Sequence, residues 1–383
     1  MKMIKSDNCP ESRASHHGPT AVAAVAAFVL ASALLLSACA SNENTNDTTN
    51  TVSGNLSGTL NAGGSTAQTA AQDAWRAGFQ AANSSVTVNY DPVGSGAGRS
   101  GFESGSYAVA GTDDAFGTDE ISSATFSLCA SNAIVEVPVY VSPIAFAFNL
   151  SGVGTLTLDA STAAKMMTGA IKTWNDPAIT ALNPGATLPS TAISPVYRSD
   201  KSGTTGNVTD YLSKAAGSAW TYGLVENWPT DLAAGEGAQG TQGVVTTIQG
   251  AQGTFGYVDA SQTKGLGVVS LINSGSPVAP TAAAASKTLS ASSMQTGRGT
   301  GDLAFTVNRT PSDSAAYPMI MVSYEVGCQQ YKDASIGTLA KAYMAYIVTD
   351  AAQQAAASNA GSAPLTADSD LATKVATAVD SIS

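Results

Sequence analysis

Histidine is nearly absent from this chain. Its 383 residues include only two, His16 and His17, which stand side by side near the start. Both fall in segment 1–38, which is expected to be removed, so the remaining chain would contain no histidine. This excludes a Ser-His-Asp or Cys-His nucleophile and a His-ligated zinc site. No other metal-ligand cluster stands out, and we expect neither a metal nor a cofactor.

Basic residues are also scarce. The chain has 17 Lys and Arg against 28 Asp and Glu, a net charge of −11. Without segment 1–38, it keeps 14 basic residues against 26 acidic ones. Nucleic acid is therefore excluded as a partner, because its binding relies on a basic surface. An anionic ligand would have to be held by local, oriented donors.

The first 38 residues have the order of an export signal. Lys2, Lys5 and Arg13 give a basic start, and residues 21–36 form an apolar run too short to span a membrane comfortably. Leu-Ser-Ala-Cys follows at 36–39 and resembles the bacterial lipobox, in which the cysteine is diacylated and becomes the mature N-terminus. The resemblance implies a membrane anchor at Cys39; the alternative is a plain secretory signal cut near Ala38. Both place the protein outside the cytoplasmic membrane.

Only two of the four cysteines then remain for the folded part of the chain. Cys9 would be discarded and Cys39 lipidated, which leaves Cys129 and Cys328. In an oxidising compartment these two either form a disulfide or stay as separate buried thiols. Residues 39–54 are rich in Asn, Thr and Asp and are predicted to be a disordered tether.

Three segments share the order strand, small-residue turn, helix. The first covers 56–83 with Gly-Gly-Ser-Thr at its turn, and the second covers 86–103 with a glycine turn at 93–98. The third reads Val-Tyr-Arg-Ser-Asp-Lys-Ser-Gly-Thr-Thr at 196–205, turns on Ser202-Gly203, and has helical spacing over 207–214. A helix start after a tight turn presents free backbone N–H groups to an anion, and Arg198 adds a planar set of donors.

The second turn also matches a nucleotide-binding pattern. Residues 96–101 fit G-x-G-x-x-G, but a lone match is weak and an exported protein has little access to NAD. We therefore exclude dinucleotide binding.

Other segments alternate between strand and helix patterns. An apolar strand at 107–112 runs into Asp113 and Asp114, and 135–149 is a long β-rich run broken by Pro138 and Pro143. Strands alternating with helices predict an α/β fold.

Taken in order, these motifs resemble the phosphate-binding proteins of bacterial phosphate ABC transporters. The resemblance covers about residues 56–350 and rests on Gly-Ser-Thr at 64–66, the glycine turn at 93–98, Gly-Thr-Asp at 111–113 and the run at 197–205. Segments 169–185 and 255–258 are similar to later family motifs. The run Arg-Ser-Asp-x-Ser-Gly-Thr is the most specific of them.

The resemblance implies an α/β, two-lobed periplasmic-binding-protein clamp, type II-like, with a hinge. One lobe would comprise 55–140 and 315–383, and the other 141–314. It also implies a lipid-anchored, non-enzymatic receptor that binds inorganic phosphate and delivers it to the transmembrane subunits of an ABC permease. The alternatives are a receptor for sulfate, molybdate or an organic phosphate, a hydrolase using Ser202 or Thr204, and a structural surface lipoprotein.

The family's phosphate contacts are carried over residue by residue. They fall on Thr66, the backbone N–H of Ala67, Ser95, Asp113, Arg198, Ser202, Gly203 and Thr204, with Ser65 beside them. Asp200 matches a family acid that holds the arginine in place. Ala67 stands where an aromatic residue is common, and Asp114 follows Asp113, so the ligand acid is assigned to Asp113 with Asp114 as the alternative.

Overall fold

The computed structural model describes residues 56–232 and 234–383. The predicted export signal at 1–38, the tether at 39–54 and the lipidation site Cys39 lie outside these residues. No helix in the described part of the chain is long and apolar enough to cross a membrane.

The described residues alternate between strands and helices. The strands are β1 Gly58–Gly64, β2 Val86–Asp91, β3 Val109–Thr112, β4 Ile134–Phe148, β5 Thr155–Leu158, β6 Ser194–Arg198, β7 Glu236–Ala238, β8 Thr254–Asp259, β9 Gly267–Asn273, β10 Ser276–Val278, β11 Ser293–Met294, β12 Phe305–Thr306 and β13 Ile320–Cys328. The helices are α1 Thr69–Ala82, α2 Ser95–Ser104, α3 Thr118–Ser123, α4 Ala160–Met167, α5 Pro177–Leu182, α6 Gly203–Ala215, α7 Gly240–Gly250, α8 Ala282–Ser290, α9 Ala334–Ile347, α10 Asp350–Ala360 and α11 Ser369–Asp380.

Most of the strands belong to one mixed sheet with the order β2-β1-β3-β13-β4-β8-β6-β7. Strand β1 pairs in parallel with β2 and β3, and β6 pairs in parallel with β7 and β8. Strand β13 runs antiparallel between β3 and β4. Loops after parallel neighbours leave the sheet at the same edge, and this brings the small-residue turns together.

Strand β4 is continuous, and the predicted breaks at Pro138 and Pro143 are wrong. It pairs with β13 as far as Pro143 and with β8 from Ile144 onward, so it belongs to two groups of strands. Proline removes one backbone donor from a ladder. At Pro138 the sheet accommodates this with a register shift between Ser323 and Tyr324 of β13. The lobe limits at 140/141 and 314/315 stay predictions.

Two helices begin earlier than the sequence suggested. The predicted glycine turn at 93–98 runs into the first turn of α2, and α6 begins at Gly203 rather than at 207. Glycine permits this because the backbones approach closely: a Cβ on Gly98 would lie 2.4 Å from the Cα of Gly64. The small residues therefore form helix starts packed against neighbouring loops.

Cys129 and Cys328 are joined by a disulfide with a Cα–Cα distance of 5.2 Å. The bond ties the last residue of β13 to the loop that precedes β4, across 199 positions of sequence. It therefore fixes the end of the central strand next to the core.

The core beside β13 contains a carboxyl group that forms no ion pair with any of the described residues. Glu325 is fully buried, and its Oε1 accepts a hydrogen bond of 2.5 Å from the Nε2 of Gln72. Its Oε2 has no hydrogen-bond partner among the described residues. Burial raises the pKa of Glu325 to about 8, and the hydrogen bond from Gln72 opposes this only in part. The group is therefore uncharged at neutral pH.

This carboxyl predicts a pH-dependent stability difference between the wild type and Glu325→Gln. An acid with a raised folded-state pKa loses stability as the pH rises from its unfolded-state pKa of about 4.3 to the folded-state value. We expect the variant to match the wild type near pH 4. At pH 9 it should be more stable by a few kcal/mol, since each pKa unit corresponds to about 1.4 kcal/mol. Denaturant unfolding across this pH range measures the difference.

Glu236→Gln is the matched control, since Glu236 is exposed on β7. It should follow the wild type at every pH. A stability difference for Glu325→Gln that does not change with pH would contradict the assignment.

Candidate functional site

Three small-residue segments converge on the end of β3. The loop at 65–68 follows β1, α2 follows β2 after a short loop, and Asp113 comes directly after β3. The start of α6 faces them from the second group of strands, where β6 ends at Arg198. The topology thus brings the predicted residues from distant parts of the chain to one buried place.

Asp113 lies at the centre of this place and is 3% exposed. Its Oδ1 accepts hydrogen bonds from the hydroxyls of Ser65, at 2.6 Å, and Ser323, at 2.5 Å. Its Oδ2 is 3.3 Å from the Oγ of Ser95 and 3.4 Å from the Oγ1 of Thr204. Oδ1 is therefore tightly held by the protein, whereas Oδ2 has only long contacts.

The environment of Asp113 acts on its pKa in two directions. Burial raises the pKa above its ordinary value, because a charged group loses hydration. The hydrogen bonds from Ser323 and Ser65 and the positive charge of Arg198 oppose this effect. The ionised form of Asp113 thus depends on these donors.

Backbone N–H groups surround the same point. Within the described residues, the amides of Thr66, Ser95, Gly203 and Thr204 have no hydrogen-bond acceptor. Three of these amides belong to the first turns of α2 and α6, where the helix provides no partner. Four unused donors at two helix starts and one loop suit an oxyanion.

Gly203 allows the start of α6 to reach Asp113. A Cβ at this position would lie 2.8 Å from the backbone carbonyl carbon and from the Cβ of Asp113. The side chain of Asn207, one turn further along α6, donates to the backbone oxygen of Asp113 at 2.6 Å. The helix and the acid are therefore locked together, and a side chain at 203 would separate them.

Arg198 is held in place by Asp200. The Nε and Nη2 of Arg198 donate to the two carboxylate oxygens at 2.8 and 2.5 Å, and the side chain of Arg198 is 2% exposed. The amide of Gly240 also donates to Asp200, at 3.0 Å. Although burial opposes it, the hydrogen bonds and charge of Arg198 keep the pKa of Asp200 below its ordinary value. Among the described residues, none accepts a hydrogen bond from the Nη1 of Arg198.

Some predicted contact groups are bonded within the protein. The amide of Ala67 donates to the Oγ of Ser65 at 3.1 Å, and the Oγ of Ser202 caps α6 by accepting from the amide of Thr205 at 3.2 Å. The Oγ1 of Thr66 accepts from the amide of Thr241 at 3.1 Å. The structure thus brings Ser65, Ser95, Asp113 and Thr204 into direct contact, while Ala67, Ser202 and Thr66 make bonds of their own.

Sequence reasoning missed three residues of the site. Ser323 donates to Asp113, Thr241 begins α7 beside Thr66, and the hydroxyl of Tyr257 accepts from the backbone of Arg198 at 3.2 Å. Ser323 could have been found because its hydroxyl interrupts the apolar sequence of β13. Gly240-Thr241 repeats the small-residue helix start of the other segments, but it lay in a Gly/Gln-rich region without a clear pattern.

Asp114 has a different environment from Asp113. Both acids border a cleft of about 510 Å³, where Glu226 forms an ion pair of 2.5 Å with Arg99. Of the two carboxylates, however, only that of Asp113 accepts hydrogen bonds from the hydroxyls of Ser65 and Ser323 among the described residues. Burial, together with the nearby negative charge of Glu226, raises the pKa of Asp114 to about 7. The geometry therefore places Asp113, and not Asp114, against the hydroxyls and helix starts. No group of metal ligands occurs among residues 56–232 and 234–383.

Comparisons with known proteins place the chain in a family. A family model described as a PBP superfamily domain matches residues 18–351. Phosphate-binding protein PstS 3 of Mycobacterium leprae is 32% identical over 328 residues, covering 82% of this chain and 88% of the relative. Its counterpart from Mycobacterium tuberculosis is 34% identical, covering 82% of this chain and 87% of the relative.

A solved structure supports the fold. It is a high affinity periplasmic phosphate-binding protein, PfluDING, bound with phosphate, and it matches with a TM-score of 0.66 at 20% identity. The match covers 84% of this chain and 93% of that chain. The predicted α/β, two-lobed periplasmic-binding-protein fold is confirmed. The chain belongs to the PBP superfamily and, within it, to the family of the PstS phosphate-binding proteins of phosphate ABC transporters.

Proposed function

We propose that this protein is a lipid-anchored, extracytoplasmic receptor that binds inorganic phosphate and delivers it to an ABC permease. One observation carries the proposal. Asp113 is a buried acid that lies beside hydroxyls, the unused amides of two helix starts and the positive charge of Arg198. Relatives that are 32 and 34% identical bear the name phosphate-binding protein, which supports the same ligand. The receptor binds its ligand without transforming it.

The donors around Asp113 are sufficient for tight binding. Hydrogen bonds to charged groups contribute roughly 1.5–3 kcal/mol each, and a micromolar complex needs about −8 kcal/mol. The four unused amides and the Nη1 of Arg198 provide several such bonds, even after the ordering costs of association. Because the chain carries a net charge of −11, these local donors must act against the field of the whole protein.

Asp113 gives the site its selectivity for a protonated oxyanion. Its Oδ2 accepts a hydrogen bond from an O–H of mono- or dibasic phosphate. Sulfate is fully ionised, so an oxygen lone pair would face the carboxylate and repel it. This argument favours phosphate over sulfate and molybdate. Hydrolysis of a phosphate ester is not favoured, because the hydroxyl of Ser202 is engaged as the cap of α6.

The proposed function also includes attachment to the membrane and delivery of phosphate to the permease. The lipobox-like sequence before Cys39 would attach the receptor to the outer face of the cytoplasmic membrane, and the segment at 39–54 would link it to the folded part. The receptor would then release phosphate to the transmembrane subunits of the permease.

Isothermal titration of phosphate into anion-free protein, with Arg198→Ala as the variant, tests the site. We expect the wild type to bind one phosphate and the variant to bind about thirtyfold more weakly or worse, because a charge-assisted donor worth about 2 kcal/mol is lost. Arg76→Ala serves as the control, because it removes an arginine of α1 whose ion pair among the described residues is with the exposed Asp73. Unchanged affinity in Arg198→Ala would show that the anion binds elsewhere.

Asp113→Asn tests the selectivity. The amide of asparagine can donate to an ionised oxygen, so we expect the ratio of phosphate to sulfate affinity to fall about tenfold or more. Asp114→Asn should keep the wild-type ratio, because the hydroxyls of Ser65, Ser95 and Ser323 bond to the carboxylate of Asp113. If only Asp114→Asn changed the ratio, the ligand acid would have to be reassigned to Asp114.

Cys39→Ser tests the anchor. We expect this variant to move from the membrane fraction to the soluble extracytoplasmic fraction and to lose fatty-acid labelling, with phosphate affinity unchanged. Cys9→Ser, within the predicted export signal, is the control and should remain in the membrane fraction. Continued labelling of Cys39→Ser would rule out this cysteine as the lipid attachment point.

A further inference from the structure

A chain of buried side chains leads from the core to Asp113. The hydroxyl of Tyr343 donates to the Oε1 of Gln72 at 2.8 Å, and the Nε2 of Gln72 donates to the Oε1 of Gln68 at 2.8 Å. The Nε2 of Gln68 donates to the Oγ of Ser323 at 2.7 Å, and Ser323 donates to Asp113. All five residues are at least 97% buried.

A backbone carbonyl fixes the direction of this chain. The Nε2 of Gln68 also donates to the carbonyl oxygen of Tyr324 at 3.1 Å, and a carbonyl can only accept. The amide nitrogen of Gln68 therefore faces Ser323, and its oxygen must face Gln72. Gln72 in turn presents its nitrogen to Gln68 and its oxygen to Tyr343. The carbonyl oxygen of Tyr324 therefore fixes the orientation of both side-chain amides.

The direction of the chain decides where the proton of Ser323 points. The Oγ of Ser323 accepts from Gln68, so its single proton is free to be donated. The Oδ1 of Asp113 is 2.5 Å away, whereas the alternative acceptor, the backbone oxygen of Thr112, is 3.3 Å away. Ser323 thus donates to Asp113.

We propose that Ser323, Gln68 and Gln72 are positioning residues that hold Asp113 as an ionised acceptor and so set the site's preference for a protonated oxyanion. The inference rests on the proposed function, in which the Oδ2 of Asp113 accepts a hydrogen bond from phosphate. The three residues act through the Oδ1 of Asp113.

Hydrogen-bond physics explains how the three residues act. Donors in series polarise one another, so the bond from Ser323 is stronger than that of an isolated hydroxyl. A donor to a carboxylate favours its charged form and lowers its pKa. With Oδ1 saturated by Ser65 and Ser323, the long contacts of Oδ2 leave it as the oxygen open to a ligand. A proton on Asp113 would turn this acceptor into a donor.

Few other groups influence the titration of Asp113. Arg198 of β6 favours its ionised form, and Tyr90 of β2 lies close enough to interact with it electrostatically. Tyr343 and Glu325 lie at the far end of the chain of hydrogen bonds, and Asp114 is the next residue. Each of these groups is unchanged in the variants below, so differences between variants report on the chain itself.

Titrations of phosphate and sulfate between pH 5.5 and 8.5 with Ser323→Ala and Gln68→Met test the proposal. We expect the pH at which phosphate affinity weakens to rise by about one unit relative to the wild type, since one charge-assisted hydrogen bond corresponds to roughly one pKa unit. The ratio of phosphate to sulfate affinity should fall by up to about tenfold in the pH window where Asp113 has taken up a proton in the variant but not in the wild type. The ionisation of phosphate itself cancels in comparisons made at the same pH.

Two further variants separate positioning from structural damage. Ser142→Ala removes another fully buried hydroxyl, on β4 next to β13, that does not contact Asp113, and it should keep the wild-type profile. Ser323→Thr retains the hydroxyl and should restore selectivity. A purely structural defect would weaken the binding of phosphate and sulfate alike and leave the ratio of their affinities unchanged.

The outcomes distinguish the inference from the proposed function. Wild-type pH profiles and ratios in both Ser323→Ala and Gln68→Met, with phosphate still bound tightly, would overturn the positioning role alone. A wild-type protein that binds no phosphate would overturn the proposed function, and the inference with it.

Discussion

The buried carboxylate of Asp113 is the constraint on which the rest of the site depends. A charge that is 3% exposed loses most of its hydration and must recover that free energy from nearby donors. The structure provides hydroxyls from Ser65, Ser95, Thr204 and Ser323, which lie on segments far apart in the sequence. The parallel pairing of β1, β2 and β3 makes this possible, because their loops leave the sheet at one edge.

The same point has to hold a second negative charge when phosphate binds. Two like charges in a buried site repel each other. The unused amides at the starts of α2 and α6 can stabilise the charge of the ligand, but they do not remove its repulsion from Asp113. A proton shared between ligand and acid removes the remaining repulsion. The arrangement is therefore favourable for an oxyanion that retains a proton at physiological pH and unfavourable for one that does not. In the proposed site, affinity comes from the donors and selectivity from the acid.

The sequence predicted the local parts of this arrangement well. The turns at 64–66 and 93–98 and the run at 196–205 are short motifs, so the α/β class and the meeting of Ser65, Ser95, Asp113 and Thr204 could be anticipated. It failed where pairing across the sheet overrides local preference. Pro138 was expected to break a strand, but β4 stays paired with β13 through a register shift that skips Val139 of β4. The roles of Ser323 and Thr241 depend on contacts across 210 and 175 positions of sequence, which no local pattern encodes.

The register shift that the sequence concealed also lies on the path of hydrogen bonds from the core to Asp113. A β-bulge bends its strand and changes the direction of neighbouring side chains. The shift lies between Ser323, whose hydroxyl meets Asp113, and Tyr324, whose carbonyl orients Gln68. Both the donor to the acid and the group that fixes the donor's direction thus lie on β13 opposite one irregularity, where the pairing skips Val139 of β4. If the proposed role of Ser323 holds, selectivity is a property of the central sheet as much as of the loops around Asp113.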